Sequence, residues 1–307
     1  MTANKGLLRD ARARCAHPRA AEAPIVRRQK ASGRKFVAEA TTERTRQRPS
    51  YGIDAPGLVK GFFLGGALAF TIALAAGLSP WPGGTVAVVV ASLAGLAAVY
   101  ALGMGCYMLY GSLVGKVRER HRLLALVPWS GTEAVLDVGC GRGLLLVAAA
   151  GRVPSGRAVG IDLWQAEDQS GNRPEATLAN ARAEGVAERV EVQTGDARQL
   201  PFPDGSFDVV VSHWVVHNMY EPAERARSLA EMARVLKPGG WVLVADIEHH
   251  AEYVRRLQEL GFVGVRHVVS RFWDAVRGAI TFGSFRPGAV VGQRHAEPGA
   301  AADGGGL

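Results

Sequence analysis

The sequence predicts a mainly parallel, doubly wound α/β domain that follows two membrane-spanning helices. From residue 134 onward, short β-branched runs alternate with helical stretches, and this alternation is typical of a parallel sheet with helices on both faces. The first strand runs into the glycine-rich turn Gly139-Cys140-Gly141-Arg142-Gly143, which opens a helix. Ahead of it lie two apolar runs, 57–78 and 84–110, each about as long as a bilayer crossing requires, which is roughly 20 residues.

The N-terminal segment is predicted to be a disordered basic tail over residues 1–54. Residues 1–50 hold 13 Lys and Arg against 4 Asp and Glu, so they account for nearly all of the net charge of +8. They hold few large apolar residues. Two interpretations stay open. The segment is either a basic arm that binds an anionic lipid or nucleic acid, or it is a solvated tail or the result of a start codon assigned too far upstream. Because the rest of the chain is nearly neutral, no nucleic acid is expected to bind the α/β domain.

Residues 55–112 are predicted to be a transmembrane helical hairpin that turns at Ser79–Gly83. Small residues at helical spacing would allow close helix packing: Gly61, Gly65, Ala91 and Gly95. Basic residues flank both ends of the hairpin, whereas the turn is uncharged. The positive-inside rule therefore places both termini and the α/β domain in the cytoplasm, with the chain integral to the inner membrane. The alternative is a buried soluble hairpin. The abundance of Arg, Ala and Gly is typical of a GC-rich bacterial genome.

The α/β domain is predicted to cover residues 113–295, ahead of a disordered tail at 296–307. A basic amphipathic segment at 115–128 leads into it. Helices are expected at 142–151, 175–184, 221–235 and 250–260. Strands are expected around 135–138, 159–162, 190–194, 207–212, 241–245, 263–269 and 289–294.

The glycine-rich turn favours S-adenosylmethionine over a dinucleotide. Its spacing is G-x-G-x-G, because position 144 is Leu, whereas dinucleotide turns read G-x-G-x-x-G. Asp137, two residues before Gly139, would repel a pyrophosphate but can accept hydrogen bonds from an ammonium group. The candidate cofactor-binding residues here are Asp137, Gly139, Cys140, Gly141 and Gly143, with Cys140 contributing a small side chain and a backbone contact.

Further candidates lie at the ends of the following strands. Asp162, 19 residues after Gly143, is placed to accept hydrogen bonds from both ribose hydroxyls. Leu163 or Trp164 could stack on adenine. The loop that continues to Pro174 is either part of a lid or of the acceptor pocket, or it is a variable surface loop. Asp196 is placed to accept from the adenine amino group. The remaining cofactor candidates are Ala197 and Ser212.

These motifs resemble those of class I S-adenosylmethionine-dependent methyltransferases, and most closely the branch of the ubiquinone and menaquinone C-methyltransferases. The resemblance covers roughly residues 115–295. It rests on five ordered signals: the Asp137–Gly143 turn, Asp162, Gly195-Asp196-Ala197, the strand of Asp208, and Leu236–Gly240. It implies a Rossmann-like, seven-stranded sheet that an antiparallel hairpin closes, and transfer of a methyl group from S-adenosylmethionine.

The candidate catalytic residues are His213 and His217, which follow the fourth strand. On a helix their spacing of four would place them on one face. Either could act as a base or orient the acceptor, or could instead pack or hydrogen-bond locally. Asp246 and His249-His250 are expected to be loop residues near the same sheet edge. No third ligand has a spacing that would make a zinc site with the two histidines.

We therefore expect a membrane-anchored methyltransferase whose acceptor is a small molecule or a lipid. The anchor suggests an acceptor in or near the bilayer, such as a quinone, an isoprenoid or another lipid. Two alternatives remain: an enzyme acting on a soluble molecule, and a sensor or scaffold that binds S-adenosylmethionine without transfer. An NAD-dependent oxidoreductase is disfavoured by Asp137, Leu144 and the Gly-Asp-Ala strand end.

Overall fold

The computed structural model describes residues 35–37, 48–78, 84–165, 167–269, 278–279, 281 and 286–296. The helices are α1 Pro56–Leu78, α2 Gly84–Tyr110, α3 Lys116–Leu124, α4 Leu144–Ala150, α5 Pro174–Ala183, α6 Pro222–Val235 and α7 His250–Glu259. The strands are β1 Lys35–Val37, β2 Ala134–Val138, β3 Arg157–Asp162, β4 Val190–Thr194, β5 Phe207–His213, β6 Leu236–Asp246, β7 Phe262–Val268 and β8 Gly288–Arg294.

The strands form one sheet in the order β1-β4-β3-β2-β5-β6-β8-β7. The five strands from β4 to β6 are parallel, and β8 and β7 close the sheet as an antiparallel pair. The predicted seven-stranded Rossmann-like arrangement is thus confirmed for β2 to β8. The chain order reverses between β2 and β5, and open α/β sheets bind ligands beside the carboxyl ends of the strands at such a switch point.

Apolar cores cover both faces of the sheet. On one face α3, α4 and α5 pack through residues such as Leu124, Leu145 and Ala181. On the other, α6 and α7 pack through residues such as Leu229 and Tyr253, which are fully buried. Burial on both faces explains why the central strands read as nearly continuous runs of Val, Leu and Ile.

The predicted disordered tail was wrong for the part of residues 1–54 that the structure describes. Strand β1 pairs antiparallel with β4 at the sheet edge. Residues 48–54 contact the domain: the Ser50 backbone N–H donates to Asn180 Oδ1 (2.8 Å), and Asp54 forms an antiparallel bridge with Gln169. These pairings join distant segments, so local composition does not reveal them. The rest of this tail, the turn at 79–83 and the tail beyond residue 296 lie outside the described residues.

The two apolar helices lie side by side and project their side chains outward. Both are long and apolar enough to cross a membrane, with mean hydropathies of 1.9 and 2.2, and only 6% of each apolar window is buried. The predicted contacts through Gly61, Gly65 and Gly95 were wrong, because these positions face open space. The close approaches are instead at Gly66, beside Leu102, and at Gly105, beside Phe63.

A π-helical turn, Gly111–Gly115, joins α2 to α3 without a break. The predicted amphipathic segment is therefore a direct extension of the second apolar helix. Because no loop separates α2 from α3, the direction of α2 relative to the domain is set by the continuous helix. The basic residues of α3 also differ in role: Lys116 and Arg120 are buried, whereas Arg118 and Arg122 are exposed.

Buried ion pairs fasten the segment before α1 to α3 and α5. The Lys116 ammonium donates to both carboxylate oxygens of Asp54 (2.7 and 2.9 Å) and to the Tyr51 carbonyl (2.8 Å). The Arg120 guanidinium donates to the Tyr51 hydroxyl (2.7 Å) and pairs with Glu184 through both terminal nitrogens (2.8 and 3.1 Å). Three segments distant in sequence thus share one polar network. We call these five residues the junction network.

Removing a cation from the junction network should destabilise the α/β domain. We expect Arg120→Ala to lower the free energy of unfolding by about 3 kcal/mol, because it leaves the Glu184 carboxylate and the Tyr51 hydroxyl without their charged partner. Chemical unfolding in detergent measures this. Arg118→Ala, an exposed arginine on the same helix, is the matched control, and equal stability of the two variants would refute the role of the network.

Candidate functional site

A cavity of about 680 Å³ opens at the carboxyl ends of β2, β3 and β5. It contains residues of the glycine-rich turn, of the loop after β3 and of the segment after β5, and it continues between α1 and α2. Ten of the predicted site residues line it: Asp137, Gly139, Cys140, Gly141, Asp162, Leu163, Asp196, Ala197, His213 and His217. The structure therefore brings together motifs spread over 80 residues of sequence.

The glycine-rich turn is held by hydrogen bonds within the protein. The Gly139 and Cys140 N–H groups donate to the Ile161 carbonyl, at 2.7 and 3.1 Å. Gly139 has φ +72°, and a Cβ there would lie 2.2 Å from the Val215 side chain, so only glycine fits.

The turn does not present free N–H groups in the way that a phosphate site does. The Gly141 N–H donates to Asp162 Oδ2 (2.8 Å), and the Arg142 N–H donates to Gln169 Oε1 (2.9 Å). These two N–H groups are not free to bind a ligand, because Asp162 at the end of β3 and Gln169 in the loop that follows accept from them. A pyrophosphate would have to displace a carboxylate, so the turn suits a ligand without phosphate.

Asp137 is a buried carboxyl group with an unsatisfied oxygen. It is 2% exposed, it lines the cavity, and Oδ1 has no hydrogen-bond partner among the described residues. Burial raises its pKa to about 8, and the nearby Asp162 contributes to this shift. A buried acceptor without a partner is costly, and the ammonium group of S-adenosylmethionine would satisfy it. The cofactor therefore fits this side of the cavity.

Asp162 ends β3 and organises the loop that follows. Its Oδ1 accepts hydrogen bonds from the Trp164 N–H (2.6 Å) and from Asn172 Nδ2 (3.1 Å). Burial raises its pKa although these hydrogen bonds oppose the shift. A carboxylate has about four acceptor positions, and Asp162 already uses three of them for Gly141, Trp164 and Asn172, so one position remains for a ribose hydroxyl.

The residues that the sequence predicts to bind adenine, Asp196, Ala197 and Leu163, all line the cavity. Burial raises the pKa of Asp196, but the hydrogen bonds and the charge of Arg198 outweigh this effect, so the pKa lies below its usual value. Arg198 is paired in turn with Glu224. Of the two predicted stacking residues, Leu163 lines the cavity, whereas the Trp164 indole turns away and donates to Thr194 Oγ1 (2.9 Å).

Two predicted cofactor residues lie just outside the cavity lining. Ser212 is buried and its hydroxyl donates to the Val138 carbonyl (2.9 Å), which ties β5 to the end of β2. Gly143 has φ +83°, and a Cβ there would lie 2.8 Å from the Thr177 side chain. Both residues support the shape of the turn. Cys140 is buried, and burial raises the pKa of its thiol, which keeps it protonated and unreactive.

His213 and His217 do not share a helical face, because the chain leaves β5 at His213 and turns sharply. Trp214 has φ +57°, and a 3₁₀ turn, Val216–Asn218, follows it. The His213 ring stacks on Trp214 with centroids 4.8 Å apart. Burial lowers the pKa of His213 to about 4, so the ring is neutral near pH 7 and is a weak base.

His217 forms a dyad with Asp246, which the sequence did not single out as functional. His217 Nδ1 lies 2.5 Å from Asp246 Oδ1, and the His217 backbone N–H donates to Oδ2 (3.0 Å). Asp246 is fully buried and also accepts from the Tyr253 hydroxyl (3.0 Å) and the Ile247 N–H (2.9 Å). The Asp246 carboxylate accepts a hydrogen bond from Nδ1–H of His217. In the neutral ring with that tautomer, Nε2 carries a lone pair and can act as a general base.

Several lining residues were not among the candidate site residues. Asp54 and Ala55 belong to the segment before α1, and Gln169 and Asn172 belong to the loop after β3. Gln169 joins both regions, since its Nε2 donates to Asp54 Oδ1 (3.1 Å). Only the polar composition of the loop after β3 could have indicated this role. Within the described part of the chain, no group of three His, Cys, Asp or Glu residues is placed to hold a metal ion.

The fold and the site are those of a class I domain that binds S-adenosylmethionine. Comparison with known proteins agrees: residues 136–244 match the family model of a methyltransferase domain. The chain is 39% identical over 128 residues to the demethylmenaquinone methyltransferase of Symbiobacterium thermophilum, covering 41% of this chain and 47% of that protein. It is 31% identical over 164 residues to the 27-O-demethylrifamycin SV methyltransferase of Amycolatopsis mediterranei, covering 50% and 54%.

Among solved structures, the geranyl diphosphate C-methyltransferase of Streptomyces coelicolor is similar, with a TM-score of 0.48 and 18% identity over 61% of this chain and 83% of that one. The chain spans about half the length of the curated relatives named above. Residues 136–244, the part of the α/β domain that matches the family model, belong to a class I S-adenosylmethionine-dependent methyltransferase domain, and this match confirms the predicted family and cofactor.

The Asp137 carboxyl should make cofactor binding depend on protonation. At about pH 6.5, below its pKa of about 8, the group holds a proton that it must release to pair with an ammonium. We expect binding of S-adenosylmethionine to release close to one proton there, and the affinity to rise with pH towards about 8. Asp137→Asn should bind about 10- to 100-fold more weakly, because a charged hydrogen bond is lost.

Isothermal titration calorimetry in buffers of different ionisation enthalpy measures both the affinity and the proton release. Asp204→Asn removes an exposed carboxylate far from the cavity lining and should bind like the wild type. Proton release that persists in Asp137→Asn would show that another group is responsible.

Proposed function

We propose that this protein is a membrane-anchored methyltransferase whose acceptor is an amphipathic molecule of the bilayer, such as a quinone or another lipid. The observation that carries this proposal is the shared cavity. It contains the residues of the glycine-rich turn together with apolar side chains of α1 and α2. An acceptor bound there would touch the cofactor side of the sheet and the hairpin at once.

S-adenosylmethionine supplies a methyl group on a sulfonium, which is activated for displacement. The protein has to position the partners and exclude water. Asp137 would hold the ammonium group of the cofactor, Asp162 would hold its ribose, and Leu163 would cover its adenine. Asp54 and Ala55, from the segment before α1, line the cavity between the cofactor side and the hairpin.

The His217–Asp246 dyad supports an acceptor that must lose a proton when it is methylated. A hydroxyl group, or a ring carbon made acidic by a neighbouring hydroxyl, fits this requirement. His217 lines the cavity, and its side chain is 17% exposed. The dyad keeps the ring oriented so that Nε2 can take the proton, while Asp246 stabilises the charged imidazole that results.

Membrane anchoring is supported by the surface of the hairpin. Large apolar side chains such as Leu64, Leu78 and Val86 are at least 70% exposed, and a soluble protein seldom leaves so large an apolar surface in water. Basic residues before α1 and after α2 favour an orientation with both termini and the domain in the cytoplasm. The inner membrane of a bacterium is the location that we propose.

Two other functions remain to be tested against this proposal. A methyltransferase for a soluble molecule would use the hairpin only as an anchor. A sensor or scaffold would keep the carboxylates of the cofactor site but would not need a histidine with an oriented lone pair. The presence of the dyad therefore favours an enzyme over a sensor.

The dyad should control the rate of transfer and not the binding of the cofactor. We expect His217→Gln to lower kcat by about 10²- to 10⁴-fold, the contribution of a positioned general base, with an unchanged Kd for S-adenosylmethionine. Initial rates of label transfer at saturating cofactor measure this. His249→Gln, a partly exposed histidine near the same sheet edge, is the control. A normal kcat in His217→Gln would show that the acceptor needs no base from this residue.

The acceptor class is tested with full-length protein in its native membranes and methyl-labelled S-adenosylmethionine. We expect label in the organic-solvent extract, and much less of it in membranes that contain Asp137→Asn when the cofactor concentration is below the Kd of that variant. Label confined to water-soluble or protein fractions would identify a soluble acceptor and refute the lipid proposal. Cofactor binding without any transfer would favour the sensor.

A further inference from the structure

The hairpin contributes more than an anchor to the cavity. We propose that α1 and α2 form a binding site for the linear hydrocarbon tail of the acceptor, open to the interior of the bilayer. The tail site is defined by Leu58, Phe62, Tyr100, Met104 and Met108, all of which line the cavity. This inference rests on the proposed function, because it concerns the acceptor of the same reaction.

The depth of these residues places the tail site inside the hydrocarbon layer. Phe62 lies six residues into α1, which corresponds to about 9 Å along the helix axis, and Tyr100 lies ten residues before the end of α2, or about 15 Å. The hydrocarbon core of a bilayer is about 30 Å thick. A cavity that ends beside Tyr100 therefore reaches roughly to the middle of the membrane if the hairpin spans it.

The chemistry of the lining changes along the cavity. Near the sheet it contains carboxylates and histidines, and between α1 and α2 it contains aliphatic, thioether and aromatic groups. This gradient matches a molecule with a polar, reactive head and an apolar tail. Methionine side chains are flexible and adapt to irregular apolar ligands, so Met104 and Met108 suit a prenyl or acyl chain.

Access from the bilayer is supported by the exposure of Tyr100, the lining residue of α2 that lies farthest from the domain. Tyr100 is 42% exposed, whereas Met104, about one helical turn nearer the domain, is 8% exposed. The lining thus leads from an exposed residue on the hairpin to a buried one and then to the cofactor side. At the domain end, Lys116 and Asp54 belong to the junction network and hold the hairpin over the turn.

The tail site should contribute alignment more than affinity. Lipid tails are as apolar as the side chains of the site, so a tail gains little free energy when it moves from the bilayer to the protein. Its benefit is that a fixed tail directs the head towards His217. A small displacement of a reacting group lowers rates strongly, so blocking the site should affect transfer even where binding of the cofactor is normal.

Photolabelling tests the tail site directly. The probe is a hydroquinone with a prenyl tail that carries a diazirine in the half nearest the ring, added to full-length protein in phosphatidylcholine–phosphatidylglycerol nanodiscs. We expect mass spectrometry to find label concentrated on α1 and α2 residues of the tail site. Met104→Trp and Phe62→Trp should each reduce that label, since the larger rings fill the space. Val99→Trp, a 73% exposed position on α2 outside the lining, should leave it unchanged.

Label spread evenly over lipid-facing residues and insensitive to Met104→Trp would overturn the tail site. This readout does not depend on transfer, so it separates the tail site from the proposed function. In the same nanodiscs, transfer to a short-tailed, water-soluble hydroquinone reports on the proposed function alone. We expect Met104→Trp to lower kcat/KM for the prenylated probe by about tenfold or more, because the head is misaligned, and to leave the short-tailed compound nearly unaffected.

Equal loss with both compounds, or none with either, would contradict a tail-specific role of Met104. Failure of the wild type to methylate either compound, together with focused photolabel, would refute a hydroquinone acceptor and still support the tail site. Circular dichroism and cofactor titration of each tryptophan variant show whether the domain has kept its fold.

Discussion

The buried ammonium group of Lys116 is the contact on which the arrangement of this protein depends. Its side chain is 2% exposed and lies between the Asp54 carboxylate and the Tyr51 carbonyl. Burial lowers the pKa of Lys116, while the charge of Asp54 opposes that shift. A buried charge without partners would cost several kcal/mol, so the segment before α1 has to stay beside α3. This contact keeps the hairpin next to the cofactor turn.

The same contact connects the hairpin to the loop that holds the turn. Asp54 accepts from Gln169, and Gln169 accepts from the Arg142 N–H of the glycine-rich turn. The acceptor side and the cofactor side are therefore linked through three consecutive polar contacts. The N–H groups of the turn already have partners, whereas Asp137 Oδ1 and Asn172 Oδ1, which both belong to cavity-lining residues, have none among the described residues. This electrostatic arrangement suits a cationic cofactor and does not suit a pyrophosphate.

Most of the α/β domain could be predicted from the sequence, because its signals are local. Strands β2 to β8 are short β-branched runs between turn residues, and the glycine spacing follows from the positive φ angles at Gly139, Gly141 and Gly143. The carboxylates Asp137, Asp162 and Asp196 could be located because parallel strands place their carboxyl ends at one edge. These features need no knowledge of distant contacts.

The parts that could not be predicted depend on contacts between distant segments. Strand β1 adds to the sheet edge from within a basic, polar tail, and Asp54 meets Lys116 across 62 residues. Asp246 was expected to be a loop residue. Its pairing with His217 could not be predicted, because the two residues are 29 positions apart and meet only when β5 and β6 lie side by side. Helical spacing was misleading for His213, since a sharp turn follows the strand.

We infer that one cavity joins the cofactor turn to the interior of the membrane. The most direct measurement is an electron cryomicroscopy structure of the full chain in lipid nanodiscs with S-adenosylhomocysteine bound. We expect the amino group of that ligand beside Asp137, and elongated lipid density between Phe62 and Met104 that points towards His217. A hairpin closed at these residues, with the ligand cavity opening only to the cytoplasm, would contradict it.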